Sequence, residues 1–231
     1  MNHTAPISRF AQAQRGRQAS RPNLAGLARA GLLLLALGLS ACAFPDKPVR
    51  PDVYDFGPGA LTVRAPGAAS MPTIALGEVE AGVALDSTAV LYRLAFADAQ
   101  QLRPYAQARW SMPPAQLLRQ RLREHLGQSR AVVNPGDGGV DAVAPWQLRL
   151  ELEEFSQLFQ SPTSSVGLVR LRASVVQPTV RGERLLAQRS VVVQQPAPSA
   201  DAAGGIKALA QAADMAVAQI DQWLQQLPPV R

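Results

Sequence analysis

Residues 146–155, WQLRLELEEF, form the clearest strand pattern in the chain, and the remaining elements can be placed around it. Three leucines alternate with polar and charged residues, which is typical of a β-strand with one buried face. The adjacent acids Glu153 and Glu154 interrupt the alternation, so we expect a β-bulge there. The sequence therefore predicts a long strand with one apolar side and one charged side.

The two-residue period returns in residues 166–177 and again in 184–195, with a turn predicted at Gly182 between them. Together with the first strand, these stretches predict an antiparallel meander that exposes one face to water. Three shorter strand patterns occur upstream, in residues 73–82, 89–96 and 103–110.

Two other segments have helical periodicity. Residues 111–128 carry leucines three or four positions apart, with Ser111 placed to cap the helix and the arginines expected mainly on its wet side. Residues 199–227 repeat apolar residues in the same way, with Asp201 or Ser199 as the cap. Both segments are therefore expected to pack an apolar stripe against the sheet.

The glycine pair Gly204 and Gly205 should weaken the first turn of the second helix, so we expect the regular helix to begin near Ile206. A sheet accompanied by two amphipathic helices predicts a layered α+β fold. We expect an antiparallel β-sheet with two main helices packed on one face.

The N-terminal residues have the three parts of a secretory signal. Residues 1–29 contain five arginines and no Asp, Glu or Lys, and residues 30–39 have no polar side chain. This apolar run is shorter than the roughly 20 residues that a membrane-spanning helix needs. A cleaved signal peptide is therefore the favoured interpretation, and an uncleaved anchor helix is the alternative.

The only cysteine of the chain, Cys42, follows this apolar run directly. The sequence Leu39-Ser40-Ala41-Cys42 resembles a bacterial lipobox, in which small residues fit a peptidase groove and the thiol takes a diacylglyceryl group. We predict Cys42 as the lipid attachment site; a buried free cysteine is the alternative. Ala43 stands where an Asp usually retains lipoproteins of Gram-negative bacteria in the inner membrane, so we expect the periplasmic face of the outer membrane.

Charge and composition bound the remaining possibilities. Without residues 1–41 the chain has 18 Lys and Arg against 17 Asp and Glu, and no basic cluster that would suggest a nucleic-acid partner. Residues 43–72 contain six prolines, which predicts an extended tether, although VYDFGP within it is also consistent with an edge strand or a turn. The predicted organisation is a signal peptide (1–41), a Pro-rich tether (42–72) and one domain (73–231).

The sequence offers few groups for catalysis. His125 is the only histidine after the predicted cleavage, and no metal, phosphate-binding or nucleophile motif can be assembled. The acids Glu151 and Glu153 are expected to pair with Arg149 and with arginines of the next strand, on a solvated face. We therefore expect no catalytic residues, no metal, no cofactor and no enzymatic activity.

Aromatic and arginine residues are concentrated in two neighbouring strands, and both types are enriched at protein interfaces. We predict a partner-binding surface there; the alternative is that the rings fill the core and the arginines pair with acids. The residues are Tyr92, Arg93, Tyr105, Arg109 and Trp110.

Three stretches resemble the ABC-type transport auxiliary lipoprotein family, the group of the paraquat-inducible type. They are LYRLAFADAQQLRPYAQARWSMPP (91–114), LRLELEEFSQLFQ (148–160) and SADAAGGIKALAQAADMAVAQIDQWL (199–224). The shared features are a Tyr-Arg strand, a Trp shortly before Pro-Pro and a helix, and a LEEF-Q-F strand. The similarity covers roughly residues 52–227, together with the lipobox.

The resemblance implies a non-enzymatic outer-membrane lipoprotein that works with an MCE-type (mammalian cell entry) transporter of lipid or other hydrophobic molecules. The implied partners are an MCE-domain protein and the outer membrane, through the lipid anchor. The oligomeric state is left open, and a homo-oligomer is compatible with the sequence. A regulatory lipoprotein that activates a cell-wall synthase is the alternative function.

Overall fold

The computed structural model describes residues 50–59, 71–136 and 146–228, so the predicted signal peptide, Cys42 and most of the predicted tether lie outside the described residues. The elements within these ranges are β1 (Asp52–Tyr54), β2 (Ile74–Ala81), β3 (Ala89–Leu94), β4 (Asp98–Trp110), α1 (Pro114–Leu126), β5 (Val132–Val133), β6 (Trp146–Ser161), β7 (Ser164–Thr179), β8 (Gly182–Pro196) and α2 (Ala202–Gln225).

Strand β6, which contains the WQLRLELEEF sequence, is the centre of the sheet. Along one edge it pairs antiparallel with β7 over almost its full length, and β7 pairs antiparallel with β8. Along its other edge it pairs parallel with β2 in its first half and parallel with β3 in its second half. The α+β class and the β6–β8 meander are confirmed, but the sheet is mixed rather than antiparallel.

The mixed sheet follows from long-range connections. Strands β2 and β3 are not joined by a hairpin: both run in the direction of β6, and β4 and α1 intervene before the chain reaches β6. Parallel pairs need such crossovers, which a local period of two residues does not reveal. Two short strands complete the sheet, with β1 parallel to β4 and β5 parallel to β2.

The bulge predicted in β6 is confirmed and marks the point where its second neighbour changes. Leu152 pairs with Leu171 and Glu154 with Arg170, so that Glu153 is the extra residue. Strand β2 ends opposite Leu152, and β3 takes over from Gln157 onward. The bulge therefore lies between the parts of β6 that pair with β2 and with β3.

Both helices cover the same face of the sheet. Helix α2 packs on β7, β8 and β6, while α1 packs on β2 and against α2. The inward side chains predicted for β6 and β7 are buried: Leu148, Leu150, Leu152, Val169, Leu171, Ala173 and Val175. No helix in the described ranges is long and apolar enough to cross a membrane.

The helix starts differ in part from those expected. Helix α1 begins at Pro114 without a side-chain cap, so the prediction for Ser111 is wrong; proline at the first position lacks the N–H that a cap would satisfy. Helix α2 is capped by Asp201, as predicted, but it begins at Ala202 rather than near Ile206. A Cβ on Gly205 would lie 1.9 Å from Gln157 Oε1, so glycine permits this close approach.

Part of the predicted tether belongs to the folded domain. Residues 52–54 form β1, and Phe56 is buried against Trp110 and Phe155. The edge-strand alternative for VYDFGP is therefore the one the structure shows. Apolar and aromatic side chains at 53, 54 and 56 supply the burial that a solvated linker lacks.

Arginines of α1 hold this segment and its neighbours, although the sequence places them mainly in solvent. Arg121 donates hydrogen bonds to the carbonyl oxygens of Phe56 and Gly57. Arg119 donates to Gly77 O at 3.1 Å and Arg123 to Val132 O at 3.1 Å. The polar side of α1 thus fastens β2, β5 and the N-terminal segment.

Candidate functional site

Two tyrosines of the predicted partner-binding surface meet between β3 and β4. The ring centroids of Tyr92 and Tyr105 are 4.6 Å apart, and Phe159 of β6 lies edge-on to Tyr92 at 6.0 Å. Such ring pairs contribute about 0.5–1.5 kcal/mol beyond their area burial. Because both tyrosines are only partly buried, one side of the pair remains accessible.

Beneath the tyrosines lies a buried polar chain of three side chains. The Tyr105 hydroxyl donates to Gln157 Oε1 at 2.7 Å, and Gln157 Nε2 donates to Ser165 Oγ at 2.7 Å. Gln157 is fully buried and Ser165 nearly so, so these bonds replace water that neither amide nor hydroxyl can reach. Burial raises the pKa of the Tyr105 phenol, and the nearby Tyr92 and Asp201 raise it further. Tyr105 is therefore a neutral hydrogen-bond donor at physiological pH.

Helix α2 starts beside this chain. The Asp201 carboxylate accepts from Gly204 N at 2.7 Å and from the Ser199 hydroxyl at 2.7 Å. The backbone bond from Gly204, followed by the Ser199 bond, holds the pKa of Asp201 below its usual range. The close contact between Gly205 and Gln157 thus joins the first turn of α2 to the polar chain in β6.

Arg93 fastens the β3–β4 hairpin to the bulge region of β6. Its guanidinium lies 3.1 Å from Glu154 Oε2 and also donates to the carbonyls of Ala99 and Gln100, at 3.3 and 3.1 Å. Both partners of the ion pair are largely buried. The alternative that the arginine pairs with an acid is therefore observed at Arg93, whose accessible fraction is small.

Arg109 and Trp110 lie at the other end of β4, away from the tyrosines. Arg109 donates to the carbonyls of Tyr105 and Ala108. Trp110 is only 2% exposed and packs at right angles to Phe56, with 5.5 Å between ring centroids. The structure therefore places Trp110 in the core rather than on a partner-binding surface, because Phe56 from the N-terminal segment covers it.

The five predicted residues thus separate into two groups. Tyr92, Arg93 and Tyr105 come together where β3, β4 and β6 meet, while Trp110 belongs to the core. A role in partner binding stays a prediction for Tyr92, Arg93, Tyr105 and Arg109, each of which keeps some exposed surface.

His125 belongs to a buried ionic cluster between the two helices. Its Nε2 lies 3.3 Å from Asp221 Oδ2, and Arg130 donates to Asp221 Oδ1 at 2.8 Å. Arg130 and Asp221 are both buried. Removing one partner of such a pair leaves an uncompensated buried charge, so the cluster ties the end of α1 to α2. In the described ranges, no group of three or more His, Cys, Asp or Glu could hold a metal ion.

A cleft of about 480 Å³ opens between α1, α2 and the segment that follows Phe56. Its charges compensate one another, since Arg121 lies 3.3 Å from Asp214 and Glu124 accepts a hydrogen bond from Gln120. Burial raises the pKa of Asp214 although Arg121 and His125 act in the opposite direction. The sequence analysis missed this cleft because it exists only once both helices and the N-terminal segment have packed.

Residues 54–221, well over half of the chain, match the model of a protein family described as the ABC-type transport auxiliary lipoprotein component. The chain belongs to this family. It is accordingly a membrane-associated lipoprotein that serves as an auxiliary component of ABC-type transport. The motif residues behind the resemblance, among them Arg93, Trp110 and Gln157, are the ones that join β3 and β4 to β6 and fill the core. In this auxiliary lipoprotein the motifs therefore carry structural contacts.

Solved structures with the same fold agree with the family assignment. A protein from Xanthomonas campestris superposes with a TM-score of 0.60 at 17% identity, covering 75% of this chain and 94% of its own. An uncharacterised protein has a TM-score of 0.55 at 15% identity, covering 76% of this chain and 99% of its own. At these identities the likeness shows the fold alone. None of the curated proteins matches the sequence.

Proposed function

We propose that the protein is the non-enzymatic outer-membrane lipoprotein of an MCE-type ABC transport system that moves lipid between the inner and outer membranes. The family match over residues 54–221 carries the proposal, since it makes the chain an accessory of a transporter. The MCE type and the lipid cargo follow from the resemblance of the Tyr-Arg, Trp and LEEF-Q-F motifs.

The anchor and its location rest on the residues around Cys42. Each buried CH₂ contributes about 0.8 kcal/mol, so two or three acyl chains on Cys42 would hold the protein in the membrane almost permanently. Ala43 lacks the carboxylate that retains lipoproteins in the inner membrane, which favours the outer membrane.

The side chains that could do acid/base work are each committed to a structural partner, which supports a non-enzymatic role. His125 and Asp221 lie in the cluster between the helices, and Glu154 pairs with Arg93. Glu153 pairs with Arg172 on the outer face of the sheet, in agreement with the pairing expected from the sequence. General acid/base catalysis needs a group within reach of a substrate, and these groups are occupied.

The proposal is tested by binding. The lipidated full-length protein, purified from membranes in detergent, is immobilised and exposed to the purified, folded periplasmic part of the MCE protein encoded beside it. We expect saturable binding, and the Cys42→Ser protein should bind equally well because docking uses the folded domain. Undetectable binding to a folded MCE partner would refute the proposed function.

A further inference from the structure

The end of the β7–β8 hairpin combines apolar and basic side chains on a fully exposed surface. We call residues 178–189 the basic tip. Val180 is fully exposed, Leu185 is 57% exposed and Leu186 is 36% exposed. Leu185 also forms a wall of an open concavity of about 340 Å³ on the outer face of the sheet. Adjacent exposed apolar side chains of this kind mark interaction sites more often than isolated ones do.

The β7–β8 register explains why two leucines are exposed in succession. Val175 pairs with Ala187 and Val176 with Leu185, so Leu186 is an extra residue in β8. A bulge breaks the alternation of faces, and it also bends an edge strand away from neighbours. The apolar exposure is therefore built into the strand pairing.

The charges of the basic tip are not balanced within the domain. Glu183 pairs with Arg149, and Arg184 donates to the neutral side chain of Gln177 at 2.8 Å. Within the described part of the chain, no carboxylate lies within ion-pairing distance of Arg181, Arg184 or Arg189. By contrast, Arg93, Arg149 and Arg172 elsewhere on the sheet each have an acidic partner. The tip therefore presents uncompensated positive charge beside apolar surface.

The direction of the strands sets the position of the tip relative to the membrane anchor. Strand β1 is parallel to β4, β4 is antiparallel to β3, and β3 is parallel to β6. The chain arriving from Cys42 therefore enters from the side on which β6 ends, whereas the β7–β8 turn lies beyond the side on which β6 begins. Since β6 spans on the order of 50 Å at about 3.3 Å per residue, the two ends are well separated.

We infer that the basic tip is a docking point for an acidic, partly apolar surface of the transport partner protein. The inference rests on the proposed function. Unpaired arginines beside leucines complement carboxylates that surround an apolar patch, and such complementarity accelerates association as well as fixing orientation. A protein rather than a lipid surface fits best, because the tip points away from the end at which the anchored segment enters.

The test uses charge reversal and apolar removal on the full-length lipidated protein. The variants are Arg181→Glu with Arg184→Glu, and Leu185→Ser with Leu186→Ser. The matched control, Arg50→Glu with Lys207→Glu, changes the net charge equally at exposed positions away from the tip. We expect both tip variants to weaken binding to the MCE protein at least tenfold and the control less than twofold, with the charge-reversed tip also losing the salt dependence of association.

The outcomes separate the tip from the proposed function. If the wild-type protein binds and folded tip variants bind equally well, the tip inference is wrong and the proposed function stands. If the wild-type protein does not bind, both fall. Sedimentation of the wild-type protein, but not of the tip variants, with phosphatidylglycerol vesicles would overturn a protein partner in favour of a membrane. A self-association that only the tip variants lose would assign the tip to a second copy.

Discussion

Gln157 is the residue on which most of the contacts at the β3–β6 junction converge. Its amide uses both ends, accepting from Tyr105 and donating to Ser165, and the first turn of α2 passes directly over it. A buried amide with satisfied partners stabilises one arrangement of strands and penalises alternatives, because any slip leaves polar atoms unpaired. The junction is therefore specified by hydrogen bonding as well as by apolar packing.

Removing the Tyr105 hydroxyl should destabilise the domain. Tyr105→Phe leaves Gln157 Oε1 buried without a donor, which costs about 1–3 kcal/mol of unfolding free energy. Tyr92→Phe is the matched control, since its hydroxyl has no hydrogen-bond partner among the described residues. Urea denaturation of both variants tests this, and an equal loss in the two would contradict the role given to Gln157.

Trp110 should behave as a core residue in any measurement that separates stability from binding. Trp110→Ala is expected to lower the free energy of unfolding by about 3–5 kcal/mol, as for other buried large aromatics. The smaller change Trp110→Phe should keep the protein folded and leave its affinity for the MCE protein unchanged. Weakened binding by a Trp110→Phe protein of wild-type stability would instead make Trp110 an interface anchor.

Among the secondary-structure elements, those with a regular local pattern were predictable and those set by distant contacts were not. The alternation in β6, β7 and β8 predicts their faces, and the acid pair predicts the bulge at Glu153. The parallel pairing of β2 and β3 with β6 depends on the path of the intervening chain, which leaves no local period. The position of Trp110 depends on Phe56, a residue that looks like part of a linker until it meets its pocket.

The glycines show the same limit. A propensity scale assigns Gly204 and Gly205 to a weakened helix end, yet both belong to α2 because neighbouring atoms leave no room for a Cβ. The structure places Gly167 of β7 in a similar position against the α2 backbone, where a Cβ would lie 2.6 Å from Ala208 C. Close approach of two backbones is a common reason for glycine inside a strand.

Gly167→Ala should therefore push α2 away from the sheet. Inserting a methyl group against backbone atoms typically costs about 1–3 kcal/mol, because neither element can move alone. Gly77→Ala is the control within β2, where the nearest atom to a new Cβ is Leu148 O at 3.5 Å, an ordinary contact. Thermal melts should show a clear drop for the first variant only; comparable melting temperatures would mean that α2 shifts freely.

The domain as a unit separates structural and surface roles by face. Helices α1 and α2 cover one side of the sheet and enclose the apolar core, while the other side carries paired charges such as Arg172 with Glu153. The N-terminal segment is fastened at the edge through β1, Phe56 and Arg121. A membrane anchor on Cys42 would therefore pull on a strand that belongs to the sheet.

Changes at the anchor should alter processing and location without altering the fold. Cys42→Ser should yield an unacylated precursor, seen by mass spectrometry of the N-terminus. Ala43→Asp should move the acylated protein into the inner-membrane fraction of a density gradient, with Ala43→Ser as the control that stays in place. An identical acylated N-terminus in the Cys42→Ser protein would exclude Cys42 as the attachment site.

Strand β1 also sets the length of the leash between anchor and domain. Its docking leaves only about ten residues from Cys42 to Asp52 instead of about thirty to residue 72, which limits the reach to roughly 35 Å at about 3.5 Å per residue. The local concentration of a tethered domain rises as its linker shortens, by roughly the 3/2 power of length. A threefold shorter leash thus concentrates the domain about fivefold near its membrane, and so restricts which partners can encounter it at all.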